Sequence, residues 1–286
     1  MNRRAAVTPV RRRSASGVEG DHDLVAVEAG LMLSVRRTAD EEARRLGLLM
    51  RTPGDDEELV LGFLYTESVI AGAGDVDRVD VTAGGSRDTD SAVVTLADHV
   101  RWPPDALERN LAMTSACGLC GRLEVIALDQ GRGCPAGQPR LDAAFVQTLP
   151  GRLRDGQSVF SETGGLHAAA LIGTDGAREL IREDVGRHNA VDKVIGAALR
   201  RGWLPGHSLM LAVSGRVAYE IVQKAVTAGL PAVVALGAPS SLAVEAARAT
   251  SLTLVGFVRG DRYNVYAGWD RLSGGDWGIP RGLRAK

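Results

Sequence analysis

Arg182-Glu183-Asp184-Val185-Gly186-Arg187-His188-Asn189-Ala190-Val191-Asp192-Lys193 is the stretch on which the fold turns. It begins in a short apolar run, Glu179 to Glu183, and ends in a helix. Val191, Val194, Ile195, Ala198 and Leu199 of that helix form one stripe at i, i+3, i+4, i+7, i+8 spacing. A strand that passes into a helix through a polar, glycine-bearing turn is the building unit of a layered α/β protein. The unit recurs downstream. Strand-like runs lie at His167–Ile172, Ser208–Val213, Ala232–Leu236 and Leu252–Val258, with helical segments at His188–Arg201, Arg216–Ala228 and Ser241–Thr250. Crossovers of this length make the later strands parallel.

The same stretch carries chemistry. His188 and Asp192 stand one turn apart, a spacing that lets a carboxylate orient an imidazole. Arg182, Arg187 and Lys193 gather near the helix start, a position that favours anions; the plain alternative is a capping and salt-bridge cluster. Ser214-Gly215-Arg216 and Gly237-Ala238-Pro239-Ser240-Ser241 repeat the strand–turn–helix logic. Such turns hold phosphate or carboxylate on free backbone amides, and in an open α/β sheet they gather beyond the carboxyl ends of the strands.

Upstream, Leu24 to Arg37 alternates loosely and reads as a hairpin broken at Ala29-Gly30. Pro53-Gly54 makes a turn, after which Asp55 or Asp56 caps a helix running to about Ile70. Its Asp-Asp-Glu-Glu start suits the helix dipole, and capping explains it without a metal. Asp77–Val81 and Ala92–Leu96 read as strands, Asp105–Ala112 as a short helix, Leu123–Leu128 as a further element, and Ala143–Leu153 as a helix. A boundary near residue 155 gives an α+β domain over 21–155 and an α/β domain over 156–270. The flanks are an arginine-rich tail over 1–20, expected to be disordered, and a C-terminal tail over 271–286.

The 286 residues are 45% hydrophobic and 24% charged, with a net charge of -1, which excludes a globally basic nucleic-acid binder. No apolar run of about 18 residues is present to span a membrane. The N-terminal arginines lack the apolar stretch of an export signal, so the expected compartment is the cytoplasm, where thiols stay reduced unless used. That matters for Cys117-Gly118-Leu119-Cys120-Gly121-Arg122. Two thiols at this spacing can relay a sulfur atom, close a disulfide or form half of a metal site. Zinc wants four ligands, and beyond this pair stand only Cys134 and five histidines with no closely spaced pair. A deaminase signature is absent, and the pair does not sit at the strand-to-helix junction of a thioredoxin-type enzyme. A glycine-flanked dithiol beside Arg122, which favours thiolate, suits sulfur relay through a persulfide.

Taken in order, Arg51-Thr52-Pro53-Gly54-Asp55-Asp56, Cys117-Gly118-Leu119-Cys120-Gly121, Thr163-Gly164-Gly165-Leu166-His167-Ala168-Ala169 and the opening stretch form a specific series. Ser214-Gly215-Arg216, Ala238-Pro239-Ser240-Ser241 and Gly256-Phe257-Val258-Arg259 complete it. With these blocks the chain resembles the formate dehydrogenase accessory sulfurtransferases (the FdhD/NarQ family) from about Leu24 to Tyr266. The resemblance implies a cytidine-deaminase-like α/β/α C-terminal domain without zinc ligands, and a homodimer. It implies sulfur taken from a cysteine desulfurase and passed to the molybdenum bis-guanine-dinucleotide cofactor (Mo-bis-molybdopterin guanine dinucleotide), which formate dehydrogenase requires. Carried over, Cys117 bears the persulfide with Cys120 its partner, and Phe257, Val258, Arg259, Gly260, Asp261 and Arg262 form the cofactor-binding segment. No metal site and no permanently bound cofactor are expected. A cofactor-binding chaperone that moves no sulfur and a dithiol oxidoreductase are the competing readings.

Overall fold

The computed structural model describes residues 4–85, 89–102 and 139–274. Cys117, Cys120 and Cys134 lie outside the described residues, as do the helix expected at 105–112 and the element expected at 123–128.

The chain opens with β1 (Ala5–Ser14) and β2 (Gly17–Ala26), an antiparallel hairpin with almost every residue exposed. This corrects the expectation of a disordered tail over 1–20. Val7, Thr8 and Val10 favour extended backbone, and Gly17 at φ +132° closes the turn. The hairpin expected over 24–37 does not form either. Leu24 and Ala26 pair with Val7 and Ala5, while β3 (Ala29–Arg37) pairs antiparallel with β4 (Arg44–Arg51) and parallel with β6 (Asp90–Leu96). With β5 (Val76–Thr82) these make a four-stranded sheet of order β4-β3-β6-β5.

Between β4 and β5 lies α1 (Asp56–Thr66). Asp55 stands at its cap in the left-handed region, φ +56°, with no side-chain capping bond. Its carboxylate is held instead by Arg4 and lies near Arg182. Each other acid of the cluster also faces an arginine: Asp56 pairs with Arg51, Glu57 with Arg200, and Glu58 with Arg182. Ion pairing therefore accounts for the run.

The second half builds the larger sheet from β8 (His167–Gly173), β9 (Glu179–Asp184), β10 (Leu209–Val213), β11 (Ala232–Ala235), β12 (Thr253–Arg259) and β13 (Arg262–Ala267), in the order β13-β12-β11-β10-β8-β9. As the crossover lengths require, β10, β11 and β12 are parallel. β13 was not expected from the sequence; it folds back antiparallel on β12. The period-2 pattern splits the side chains cleanly. Leu171, Leu211, Val233 and Leu254 face α4 (Arg187–Arg200), α5 (Tyr219–Thr227) and α6 (Ser241–Ala249). Ala170, Met210, Val234 and Val255 face α2 (Ala143–Asp155) through its Val146, Leu149 and Leu153. A short α3 (Ser158–Thr163) follows, with Glu183 accepting from its first amides, Val159 and Phe160.

A boundary at 155 leaves α2 with the wrong unit, since it covers the larger sheet. α1 belongs to both units. It crosses α4 at Gly62 and Gly196, so close that a Cβ on Gly62 would lie 1.8 Å from the Asp192 carbonyl oxygen and one on Gly196 1.9 Å from that of Glu58. One continuous apolar cluster runs from the four-stranded sheet through α1 to α4 and the larger sheet. The C-terminal tail starts later than expected: β14 (Leu272–Ser273) pairs parallel with β7 (Leu141–Asp142), and Leu272 is buried. Among the described residues no helix is long and apolar enough to cross a membrane.

Candidate functional site

The carboxyl ends of β9, β10, β11 and β12, with the start of β8, share one edge of the larger sheet. Three glycines set its floor. A Cβ on Gly237 would sit 2.7 Å from the Gly215 carbonyl oxygen, and one on Gly256 would sit 3.1 Å from that of Gly237. Only hydrogen at these positions lets three successive loops stack backbone on backbone. Amides are spent in that stacking: Gly237 N–H donates to Gly215 O (3.3 Å), Phe257 N–H to Gly237 O (3.1 Å) and Val217 N–H to Ala238 O (3.0 Å). Ser214 N–H and Ser240 N–H are likewise bonded to carbonyls. Free amides were the expected anion holders here, but much of that capacity is used inside the floor.

Above the floor stand His167, Arg187, His188 and Arg216. The His167 ring packs on Gly215, where an added Cβ would meet Nδ1 at 3.1 Å and Arg187 Cβ at 3.8 Å. Burial, then the nearby charges of Arg187 and Arg216, push the His167 pKa below the ordinary imidazole value. His188 is pushed further, to about 3, by burial first and then by Lys224, Arg187 and His167. Two neutral imidazoles between cations mark a region of positive potential, and Arg216 points into solvent from it.

The β9–α4 turn is held by Asp184, fully buried. Its carboxylate accepts from Thr52 N–H (3.1 Å), Gly186 N–H (2.8 Å) and Asn189 Nδ2 (2.9 Å), and pairs with Lys193 Nζ at 2.7 Å. Lys193 also donates to Thr52 O at 2.8 Å. The Arg51-Thr52-Pro53 segment is thus a buttress for the turn.

Several sequence expectations change here. Asp192 does not orient His188; it faces Lys224 Nζ at 2.8 and 2.9 Å and accepts from Thr66 Oγ1 at 2.9 Å. Arg182 and Lys193 have internal partners, the one engaged by Glu58 and the other buried on Asp184. Of the proposed cofactor segment, Phe257 is exposed at φ +56° and Arg259 is exposed. Val258 is 1% exposed, with its side chain in the core. Arg259 and Arg262 face each other across a two-residue turn, Gly260-Asp261, with Gly260 at φ +57°. Val258 and Gly260 therefore serve the segment through backbone shape, whereas Phe257, Arg259 and Arg262 present side chains.

Sequence reading gave no role to Glu220, Lys224 or the His167 ring. Among the described residues, three buried side-chain polar atoms lack a hydrogen-bond partner: Arg187 Nε, His188 Nε2 and Glu220 Oε2. The one signal for Glu220 was its place five residues past the Ser214-Gly215 turn.

The sheet edge thus joins a glycine floor, arginines and an outward aromatic on an α/β scaffold. Residues 35–273 match the FdhD/NarQ family model, and the chain belongs to that family. It is 46% identical over 268 residues to the sulfur carrier protein FdhD of Nocardia farcinica, covering 92% of this chain and 93% of that one. It is 45% identical over 273 residues to the protein of that name from Mycobacterium tuberculosis, covering 92% and 97%. For Streptomyces coelicolor the figures are 49% over 235 residues, covering 80% and 83%. A solved structure from Desulfotalea psychrophila, described as that of a formate dehydrogenase accessory protein, matches with TM-score 0.70 at 23% identity over 94% of this chain and 99% of that one, which speaks to the fold.

Proposed function

We propose that this protein is a sulfurtransferase that carries sulfur to the molybdenum bis-guanine-dinucleotide cofactor on behalf of formate dehydrogenase. In the loading step the Cys117 thiolate attacks the outer sulfur of a persulfide on a cysteine desulfurase. One S–S bond forms on Cys117, and the desulfurase cysteine leaves as thiolate. Cys120 is the neighbouring thiol that assists release. The cofactor is cargo, bound transiently as a homodimer works in the cytoplasm between donor and recipient.

The observation that carries this reading is the sheet edge. Arg187 and Arg216 suit the phosphates of a dinucleotide, their guanidinium forks matching phosphate oxygens. Phe257 offers a ring face beside them. Relatives named as sulfur carriers support the sulfur half of the reading.

Incubation of the full chain with a cysteine desulfurase and cysteine should raise its intact mass by one sulfur atom, reversibly by a thiol reductant. No adduct at all rejects sulfur transfer and leaves the chaperone reading, whereas an adduct that persists in Cys117→Ala rejects Cys117 as the residue that bears the sulfur. An intramolecular disulfide as the resting oxidised product, with turnover on thiol reductant alone, identifies a dithiol oxidoreductase.

A further inference from the structure

We propose that the β1–β2 hairpin is an arm that docks on the same arm of a second copy of this chain. The two arms lie face to face and antiparallel, each tip over the other's root. This rests on the homodimer reading above and names the contact. The arm precedes residues 35–273 that match the family model, so the family pattern does not account for it.

β1 and β2 hold ten residue pairs in unbroken register, roughly 30 Å of ribbon at about 3.3 Å per residue. A two-stranded ribbon alone is marginal in water. This one meets the fold near its root, through Arg4 and through β2 against α3. Directly paired residues share a face, and the register sorts them. One face begins at the root with Ala5 opposite Ala26 and Val7 opposite Leu24. It ends at the tip with Arg11 opposite Gly20 and Arg13 opposite Val18, and it carries no acid. Glu19, Asp21 and Asp23 stand on the other face, where Asp21 accepts from Arg12 Nε at 2.8 Å. Arg11 and Arg13 have no ion-pair partner among the described residues. Val7 at 68% and Val18 at 59% are the most exposed large hydrophobic side chains described, so this face has the most to gain from cover.

A two-fold axis through Pro9 and His22, the middle of this face, makes the face complementary to itself. Gly20, where an added Cβ would meet nothing within 4 Å, then stands across from Val7 and Leu24 of the other copy and leaves them room. The Arg11 stem covers the same pair, as long cationic side chains do with apolar neighbours. Val18 and Arg13 fall on Ala5 and Ala26, a pair of small residues. What meets the Arg13 guanidinium there is α3. It packs on β2, and the loop after it touches Ala26, an added Cβ on Gly165 lying 3.3 Å from Ala26 Cβ. α3 exposes Phe160 and Glu162, and Glu162 has no ion-pair partner among the described residues. A guanidinium pairs with a carboxylate and stacks on a ring, so the two together suit Arg13. The contact occurs twice, the closed arrangement of an isologous dimer.

Sedimentation equilibrium of the full chain tests the arm. Arg13→Glu and Glu162→Arg should each raise the dimer dissociation constant about tenfold or more, since each change is present twice in the dimer. Combined, the two should return it to within about threefold of wild type. Both positions are exposed, so the far-ultraviolet circular dichroism of every variant should match wild type. A wild-type dissociation constant in Arg13→Glu overturns the proposal. So does a double variant no tighter than the single ones, because Arg13 and Glu162 then make no contact. Wild type that stays monomeric at every concentration rejects the homodimer reading itself, whereas a dimer indifferent to both changes rejects only the arm.

Discussion

At φ +56°, Phe257 occupies a backbone region that bulky side chains avoid, at about 1–2 kcal/mol. The floor enforces it, because Phe257 N–H is committed to Gly237 O while the strand bulges between Gly256 and Arg259. A half-exposed ring held at such an angle is placed for something outside the fold. Phe257→Gly relieves the strain and loses the ring. Its unfolding free energy should stay within about 1 kcal/mol of wild type while GDP affinity falls about tenfold, by denaturant titration and calorimetry. His188 gives a pH signature. Its pKa falls from 6.5 unfolded to about 3 folded, so between these values the unfolded chain binds the extra proton. The stability due to neutral His188 is complete above pH 6.5 and is lost as pH drops toward 3, at a slope approaching about 1.4 kcal/mol per pH unit. Subtracting the profile of His188→Gln from that of wild type isolates the slope; identical profiles contradict it. The sequence pointed to His188 and the three turns, since residue types and glycine placement are local. It misassigned Asp192, Arg182 and Lys193, because their partners Lys224, Glu58 and Asp184 are settled by how distant segments pack.

Elements were the most legible scale. The apolar stripe of α4, the short strands β8 to β12 and the parallel run of β10, β11 and β12 follow from spacing and crossover length. The crossing of α1 and α4 does not, for a glycine in a helix reads as a weak point until its neighbour is known. With a Cβ 1.8 Å from the Asp192 carbonyl oxygen, Gly62→Ala must push the helices apart, and we expect a loss of about 3 kcal/mol or more in chemical denaturation. The charge pair beside that crossing behaves differently. Lys224→Met strands buried Asp192 and should cost about 3–5 kcal/mol; adding Asp192→Leu should recover most of it, because the pair itself adds little over apolar packing. A double variant as unstable as the single would assign the pair a net stabilising role.

For the whole molecule, the continuous cluster through α1 predicts one cooperative unfolding transition, seen as coincident melting by far-ultraviolet circular dichroism and tryptophan fluorescence. The β1–β2 hairpin stands outside that cluster, attached through Arg4 to Pro53 and Asp55 and by β2 against α3. Brief trypsin treatment of protein diluted to monomer should therefore cut at Arg11, Arg12 or Arg13 first and leave the melting temperature of the remainder within about 2 °C. A division at residue 155 was the natural reading of a change in pattern, yet patterns report periods and not partners. α1 and α2 lie on the N-terminal side of that change, yet α1 packs on α4 and α2 on the sheet beyond it.

Gly215, Gly237 and Gly256 have a consequence for how this edge can vary. Since the three loops lie on one another's main chains, none can gain a residue without lifting the next. Insertions are barred from the floor and admitted only where loops face solvent, as at Gly260-Asp261. Relatives that change what they hold must do so by exchanging side chains around a frame of fixed length.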